Sequence, residues 1–233
     1  MTPRSNHLLA TLPESEYTLL VKHMELVSLE KGLTLFEVGQ VPPLVYYPVT
    51  AIISMMNDMA DGFSVETYMI GNACMVGIGA LGKPSFYRAH VRHAGLAYRM
   101  NASALIQERG HCMAYQHGEI IALNRMLMQL SQTIACVKHH AIEMQLIRWM
   151  LITLDRTAAP AIPSTHQEIA DILGFRREAI TLALQKLSDM GHVSTSRGRI
   201  QVLDRDALEA LVCDCYWIGQ QRRKFTSCVT SET

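Results

Sequence analysis

Four residues near position 180, Arg176, Arg177, Glu178 and Thr181, and two arginines flanking a glycine, Arg197 and Arg199, are the types that read nucleic acid. Arginine donates two parallel hydrogen bonds to the O6/N7 edge of guanine, and glutamate accepts from cytosine N4. Thr165, His166, Gln167, Ser196, Arg197 and Arg199 are suited to phosphate oxygens, which fix register rather than sequence. From 176 to 199 the basic residues Arg176, Arg177, Lys186, Arg197 and Arg199 face only Glu178 and Asp189, in a chain with 21 basic and 21 acidic residues overall. A local positive excess in a neutral protein is the footprint of a nucleic-acid face. On an isolated helix the same arginines would simply be solvated, so the elements around them decide the matter.

Thr165-His166-Gln167-Glu168 is a capping box that opens a helix through Ile169, Ala170, Ile172 and Leu173. Gly174 stops it, because glycine takes the left-handed conformation cheaply. A second helix starts at Arg176-Arg177-Glu178 with the apolar stripe Ile180, Ala183, Leu184 and Leu187, and ends before Gly191. Two helices joined by a short glycine-containing turn make a helix-turn-helix, with Ala170 permitting a close crossing and Ile180 packing between them. Val193 and Thr195 lead into Ser196-Arg197-Gly198-Arg199, and Ile200 and Val202 lead out, which predicts a hairpin wing. Asp204 caps a last helix. An αα corner that meets a protein partner shares part of this pattern and stays open as the alternative: a small-molecule sensor whose C-terminal domain contacts protein rather than DNA.

Upstream, residues 6–24 read as short helices, with Pro13-Glu14-Ser15-Glu16 as a start signal. Residues 25–100 alternate short apolar runs (26–29, 34–38, 44–56, 63–70, 91–100) with turn residues, predicting an antiparallel β-roll. Residues 119–159 hold neither glycine nor proline, and one straight helix of that length would span about 60 Å. A bend near Lys138-His139-His140 is therefore expected. Ile120, Ile121, Leu123, Met126, Leu127, Met128, Leu130, Ile134 and Val137 make its first half apolar nearly all round, which calls for a second buried neighbour and predicts a two-fold dimer. Pro160-Ala161-Ile162-Pro163 reads as a stiff linker, and residues 226–233 as a frayed tail.

Other constellations carry less. Gly77-Ile78-Gly79-Ala80-Leu81-Gly82 fits a dinucleotide fingerprint in letters, but Lys83-Pro84 follows where a helix should open. His139 and Glu143 share a helical face without a third ligand, so no metal site is expected. The six cysteines contain no CxxC, and Cys213-x-Cys215, taken as helical, is a poor clamp, so free thiols are expected. Hydrophobic content of 49% with 18% charged residues excludes a disordered chain, and no uninterrupted apolar run reaches the ~18 residues of a membrane span. No nucleophile–base pair emerges from spacing, so an enzyme is not expected. The N-terminus lacks the features of a secretory signal, which makes a cytoplasmic protein without membrane contact the expectation.

Gln167-Glu168-Ile169-Ala170-Asp171-Ile172-Leu173-Gly174, Arg177-Glu178-Ala179-Ile180, Gly191 and the Ser196-Arg197-Gly198 wing resemble the Crp–Fnr family of bacterial transcription regulators. The likeness extends more loosely over the β-roll and long helix. It implies an α+β fold with an N-terminal cyclic-nucleotide-binding-like roll (1–118), a long dimerisation helix and hinge (119–159), a winged helix-turn-helix (160–225) and a tail (226–233). It also implies a homodimer on a double-stranded inverted-repeat operator, with RNA polymerase as a further partner. In the family an Arg-Glu pair reads bases, matched here by Arg177-Glu178, whereas a third, basic reader falls on Leu182, with Thr181 or Arg176 as candidates to compensate.

The cassette departs further. Where cyclic-nucleotide binders resemble one another in a Gly-Glu start and an Arg-Ser pair, this chain has Gly71-Asn72 and Tyr87-Arg88, so cyclic AMP is not expected. No cysteine precedes Cys74, which argues against the family's iron–sulfur cluster, and no haem ligand can be placed. Any effector remains an unknown small molecule, with Gly71, Asn72, Arg88, Arg92, Ser131 and Thr133 as its candidate contacts.

Overall fold

A computed structural model describes residues 1–77, 81–157 and 161–220. Among the described residues the chain divides into two compact units, 1–58 with 67–127, and 59–66 with 128–220. Strands are antiparallel throughout the described pairings, one long helix follows the roll, and a helix-turn-helix lies near the C-terminus, giving the mixed α and β class that the sequence predicts.

In the first unit, α1 (His7–Ala10) and α2 (Glu14–Val21) precede the roll. Asn6 is fully buried. Its Oδ1 accepts from the Leu8 amide, and its Nδ2 donates to the carbonyls of Pro48 and Cys74, both at 2.9 Å. One sheet has the order β1 (Glu25–Leu29), β7 (Gly95–Asn101), β3 (Leu44–Pro48). The other runs β2 (Thr34–Phe36), β6 (Arg88–His93), β4 (Ile52–Asp58), β5 (Ser64–Ile70). Val45, Tyr47, Ile52, Ile53, Met75, Val91 and Met100 are buried between these strands and the helices, with Tyr47 and Tyr115 sharing a 2.7 Å hydroxyl contact.

Two runs that the sequence suggests as single strands are broken. The 44–56 run splits at 49–51, and the 91–100 run splits before Gly95. One contact explains both. The amides of Val49, Thr50 and Ala51 all point at the Leu96 carbonyl, and the Leu96 amide donates to Thr50 Oγ1 at 2.8 Å. A Cβ on Gly95 would lie 2.5 Å from the Ala51 nitrogen. Apolar periodicity carries no sign of such a backbone crossing. Helix α3 (Ala102–Arg109), directly after β7, is a further element that the sequence reading did not separate from the roll.

Helix α4 (Met113–His139) starts earlier than the glycine-free stretch suggests and runs through Gly118. A Cβ there would sit 2.6 Å from Leu8 Cδ1, so a larger residue would have to displace the buried Leu8 side chain. The expected bend is a break: α4 stops at His139, Ala141 is extended, and α5 (Ile142–Leu154) begins. The second unit continues with β8 (Ala161–Ile162), α6 (His166–Leu173), α7 (Arg177–Asp189), β9 (Val193–Ser196), β10 (Arg199–Val202) and α8 (Arg205–Leu211).

The stretch read as a stiff linker is partly a strand, since Ala161 and Ile162 are buried and pair with Gln201 and Ile200. Two residues are too few to show a period, and a following proline favours extended backbone for reasons unrelated to a sheet. Pro160, the centre of Gly77-Ile78-Gly79-Ala80-Leu81-Gly82 and the 226–233 tail lie outside the described residues.

Replacing Gly95 by alanine is expected to lower the unfolding free energy by about 1–3 kcal/mol, the usual cost of overpacking. Denaturant titration of the variant checks this, and an unchanged midpoint would show that the Thr50–Ala51 turn yields freely.

Candidate nucleic-acid interface

The capping box forms as its residue types require. Thr165 Oγ1 accepts from the Glu168 amide at 3.1 Å, and the Glu168 carboxylate accepts from the Thr165 amide at 2.9 Å and from the buried Ser164 hydroxyl at 3.0 Å. Gly174 adopts φ +74°, and the amides of Gly174 and Phe175 both reach back to the Ala170 carbonyl. This closes α6 and turns the chain into α7. Ile169, Ala170, Ile180, Ala183, Leu184 and Leu187 are buried in the angle between the helices. At the far end Gly191, φ +78°, closes α7, with the His192 amide donating to the Leu187 carbonyl. The wing strands β9 and β10 pair with Arg199 opposite Ser196, and Gly198, φ +72°, makes the turn. Asp204 Oδ1 accepts from the Ala207 amide at 2.9 Å to start α8.

This frame leaves Arg176, Arg177, Glu178, Thr181 and Leu182 exposed on the first turns of α7, and Ser196, Arg197 and Arg199 exposed on the wing. Among the described residues none of Arg176, Arg177, Glu178 and Arg197 is held in an ion pair, so their charges are unspent. Lys186 differs. Its Nζ lies 2.6 Å from Glu143 Oε1 on α5, which removes it from the positive face that the sequence count includes.

Thr181 is also committed, donating to the Arg177 carbonyl at 2.9 Å. His166 Nδ1 lies 3.0 Å from the Thr181 oxygen, an arrangement completed when the ring carries its proton on Nδ1. Partial burial and then the Arg177 charge hold the His166 pKa below the ordinary histidine range. Thr181 can accept but not donate, and a neutral His166 has only an unprotonated Nε2 left to offer. Thr165 and Gln167 are exposed on the opening turn of α6, where Gln167 donates to Asp171 at 2.7 Å.

The six residues suggested as effector contacts are placed individually. Gly71 is buried. The Asn72 carbonyl accepts from the His7 amide at 2.7 Å. Arg88 makes two 2.7 Å bonds to the Asp58 carboxylate, with Glu37 at 3.8 Å, and Asp58 raises its pKa. Its charge is therefore already balanced. Arg92 is buried on β6. Ser131 is exposed on α4, while Thr133 Oγ1 donates to the Gln129 carbonyl at 2.8 Å and faces Arg148 Nη2 at 3.3 Å.

Beyond α8 the chain is anchored by a polar node that the sequence reading did not foresee. Asp155 at the end of α5 receives Arg205 at 2.6 Å and the Tyr216 hydroxyl at 3.2 Å, and Gln220 also donates to it. Arg205, Tyr216 and Gln220 all lie fifty or more residues from Asp155, so no local spacing signals the node.

Residues 145–211 match the Crp-like helix-turn-helix domain family, so this part of the chain is a Crp-like helix-turn-helix domain. The fold as a whole is that of Crp/Fnr regulators. A Crp/Fnr-family transcriptional regulator from Eubacterium rectale superposes with a TM-score of 0.69 at 17% identity, covering 88% of this chain and 96% of that one. FixK2 from Bradyrhizobium japonicum gives 0.67 at 17% identity, over 82% and 98%. The c-di-GMP-responsive regulator CLP of Xanthomonas campestris gives 0.64 at 13% identity, over 82% and 99%. No curated protein matches the sequence significantly. The resemblance to Crp–Fnr transcription regulators thus holds, through the domain family at the C-terminal end and through the fold elsewhere.

Gly174→Ala forces a side chain into the left-handed region and is expected to cost about 1–2 kcal/mol. A lower thermal midpoint, with the same loss in urea, checks the value.

Proposed function

We propose that the chain is a cytoplasmic, sequence-specific DNA-binding transcription regulator, not an enzyme, that reads an inverted repeat as a homodimer. The observation that carries the reading is the pair Arg177–Glu178, exposed and unspent at the start of a helix whose angle is set by Gly174 and Ile180. The N-terminal turns of such a helix are the part that enters the major groove. Arg177 would take guanine and Glu178 cytosine, while Arg197 and Arg199 on the wing, with Thr165 and Gln167, would hold phosphates. Leu182, 65% exposed on the same face, would rest against a thymine methyl rather than replace the family's basic reader.

Dimerisation is supported by α4. Glu119 is turned inward and paired with Arg109, and Ala122, Gln132 and Cys136 are buried on the same side. Ile120, Leu123, Leu127, Leu130, Ile134 and Val137 recur at alternating steps of three and four on another face, and Leu127 and Ile134 are 63% and 62% exposed. That is the a/d repeat of a two-stranded coiled coil. By length and composition α4 is also apolar enough to cross a membrane. The buried Glu119 and Gln132 and the strict seam spacing favour a partner helix over lipid. Two recognition helices would then sit in successive major grooves about 34 Å apart. A small molecule, as c-di-GMP is for the responsive regulator CLP, would work by favouring one spacing, and RNA polymerase is the expected partner downstream.

Selection of random duplex DNA, followed by binding across a salt series, tests the reading. Arg177→Ala should cost about 1–3 kcal/mol and relax preference at one base pair. Arg197→Ala should weaken all sequences alike and reduce the salt slope by about 0.9. Selection that recovers no sequence would instead favour the protein-contact alternative. Ile134→Asp places a charge in the seam, and sedimentation equilibrium should then show a monomer with an intact circular-dichroism spectrum.

A further inference from the structure

Four metal-binding side chains meet in the second unit. Cys136 lies on α4, His140 one turn later at its end, and Cys213 and Cys215 beyond α8. Their donor atoms all lie within 4.8 Å of one another. Cys136 Sγ and Cys213 Sγ are 3.7 Å apart, and Cys215 Sγ and His140 Nδ1 are 3.6 Å apart. Zinc bonds of about 2.3 Å to sulfur and about 2.0–2.1 Å to nitrogen place tetrahedral sulfurs about 3.8 Å apart, and sulfur and nitrogen about 3.6 Å apart. We propose that Cys136, His140, Cys213 and Cys215 bind one divalent zinc-class metal ion as a closed, structural Cys3His site.

The sequence explains why the four converge. His140 follows the last residue of α4, and its amide still donates to the Cys136 carbonyl at 2.9 Å, which keeps it one turn from Cys136. Cys213-x-Cys215 is not a helical pair, contrary to the sequence reading. Val212 is extended (φ −71°, ψ 150°), Cys213 precedes the helical residues 214–220, and Cys215 falls in their first turn. The sulfurs can therefore turn to the same side.

Three further observations favour a metal over a chance cluster of thiols. All three cysteines are buried, with Cys136 only 1% exposed. A disulfide would use two of the four donors and give no reason for His140 to join the other two. Charge is also matched. A divalent ion with three thiolates and a neutral imidazole carries −1, and Arg148, buried beside Cys136, carries +1. Arg148 Nη2 donates to Thr133 at 3.3 Å, and its Nε has no hydrogen-bond partner among the described residues.

The donor spacing fits one ion rather than a multi-iron cluster, whose thiolates attach to different metal atoms and stand farther apart. With four protein ligands no position is open for catalysis. Binding would release the three thiol protons to solvent and tie the segment after α8 to the end of α4. All four ligands fall outside residues 145–211, so the matched domain family does not include this site.

The test is metal content and spectroscopy of the full chain, purified under reductant, with no DNA present, so its outcome is independent of the proposed function. The expected result is about one zinc per chain, released by a mercurial thiol reagent. Replacement by Co2+ should give the visible bands of a tetrahedral ion and a thiolate charge-transfer band. Cys136→Ser and Cys215→Ser should each lose the metal, while Cys74→Ser, with the mutated cysteine outside the cluster, should keep it. If the serine variants fail to fold, the cobalt spectrum of the wild-type chain decides alone. Reduced wild-type protein that takes up neither Zn2+ nor Co2+, a cobalt spectrum without a thiolate band, or full metal retention in a folded Cys136→Ser variant would each overturn the proposal.

Discussion

The left-handed turn at Gly174 determines where every exposed polar side chain of α7 stands. An L-residue there would be strained by its Cβ, whereas glycine lets two successive amides bond the Ala170 carbonyl and redirect the chain within one residue. The turn alone would leave the angle loose. It is held by fully buried Ile169, Ala170, Ile180 and Leu184, which must interdigitate if that apolar surface is to leave water. The polar face of α7 is then what remains. Exposure of Arg177 and Glu178 follows from the burial of Ile180 and Leu184 as directly as from their own charge.

Helix α4 shows a similar division of labour along a longer element. One side is spent within the protein, with Tyr115, Glu119, Ala122, Gln132 and Cys136 buried. The other presents a heptad row of which Ile120, Leu127, Ile134 and Val137 stay more than half exposed. Uncovered apolar surface of this length costs solubility unless a partner occupies it. The break at His140–Ala141 then lets α5 bury every residue from Gln145 to Leu154. Asp155, at the end of α5, gathers Arg205, Tyr216 and Gln220. The described residues after α8, up to 220, are therefore a fixed part of the second unit and not an appendage.

Several polar side chains are less available than their types suggest. Lys186 is engaged by Glu143, Arg88 by Asp58, and the Thr181 hydroxyl by the Arg177 carbonyl. The positive character of the exposed α7 and wing face rests on fewer residues than a count along the chain implies, chiefly Arg176, Arg177, Arg197 and Arg199. Exposed pairs such as Lys186–Glu143 contribute little to stability, but they settle which cations remain free to meet an anion.

Local chemistry was enough for the helix-turn-helix. The capping box at Thr165 and Glu168, the glycines at 174, 191 and 198, the Ile180 stripe and the Asp204 cap each act within a few residues, so their signals survive in the linear sequence. Many short strands and one long, apolar helix were legible for the same reason. Tertiary structure decided what depends on residues far apart. The Gly95–Ala51 crossing that cuts two strands, the pairing of Ile162 with Ile200, the Asp155 node, and the meeting of Cys136 and His140 with Cys213 and Cys215 leave no periodic trace. Hydrogen bonds and hydrophobic periods within an element repeat along the chain and can be read from it. Contacts between elements depend on where the packed core brings the backbone, and only the folded chain specifies that.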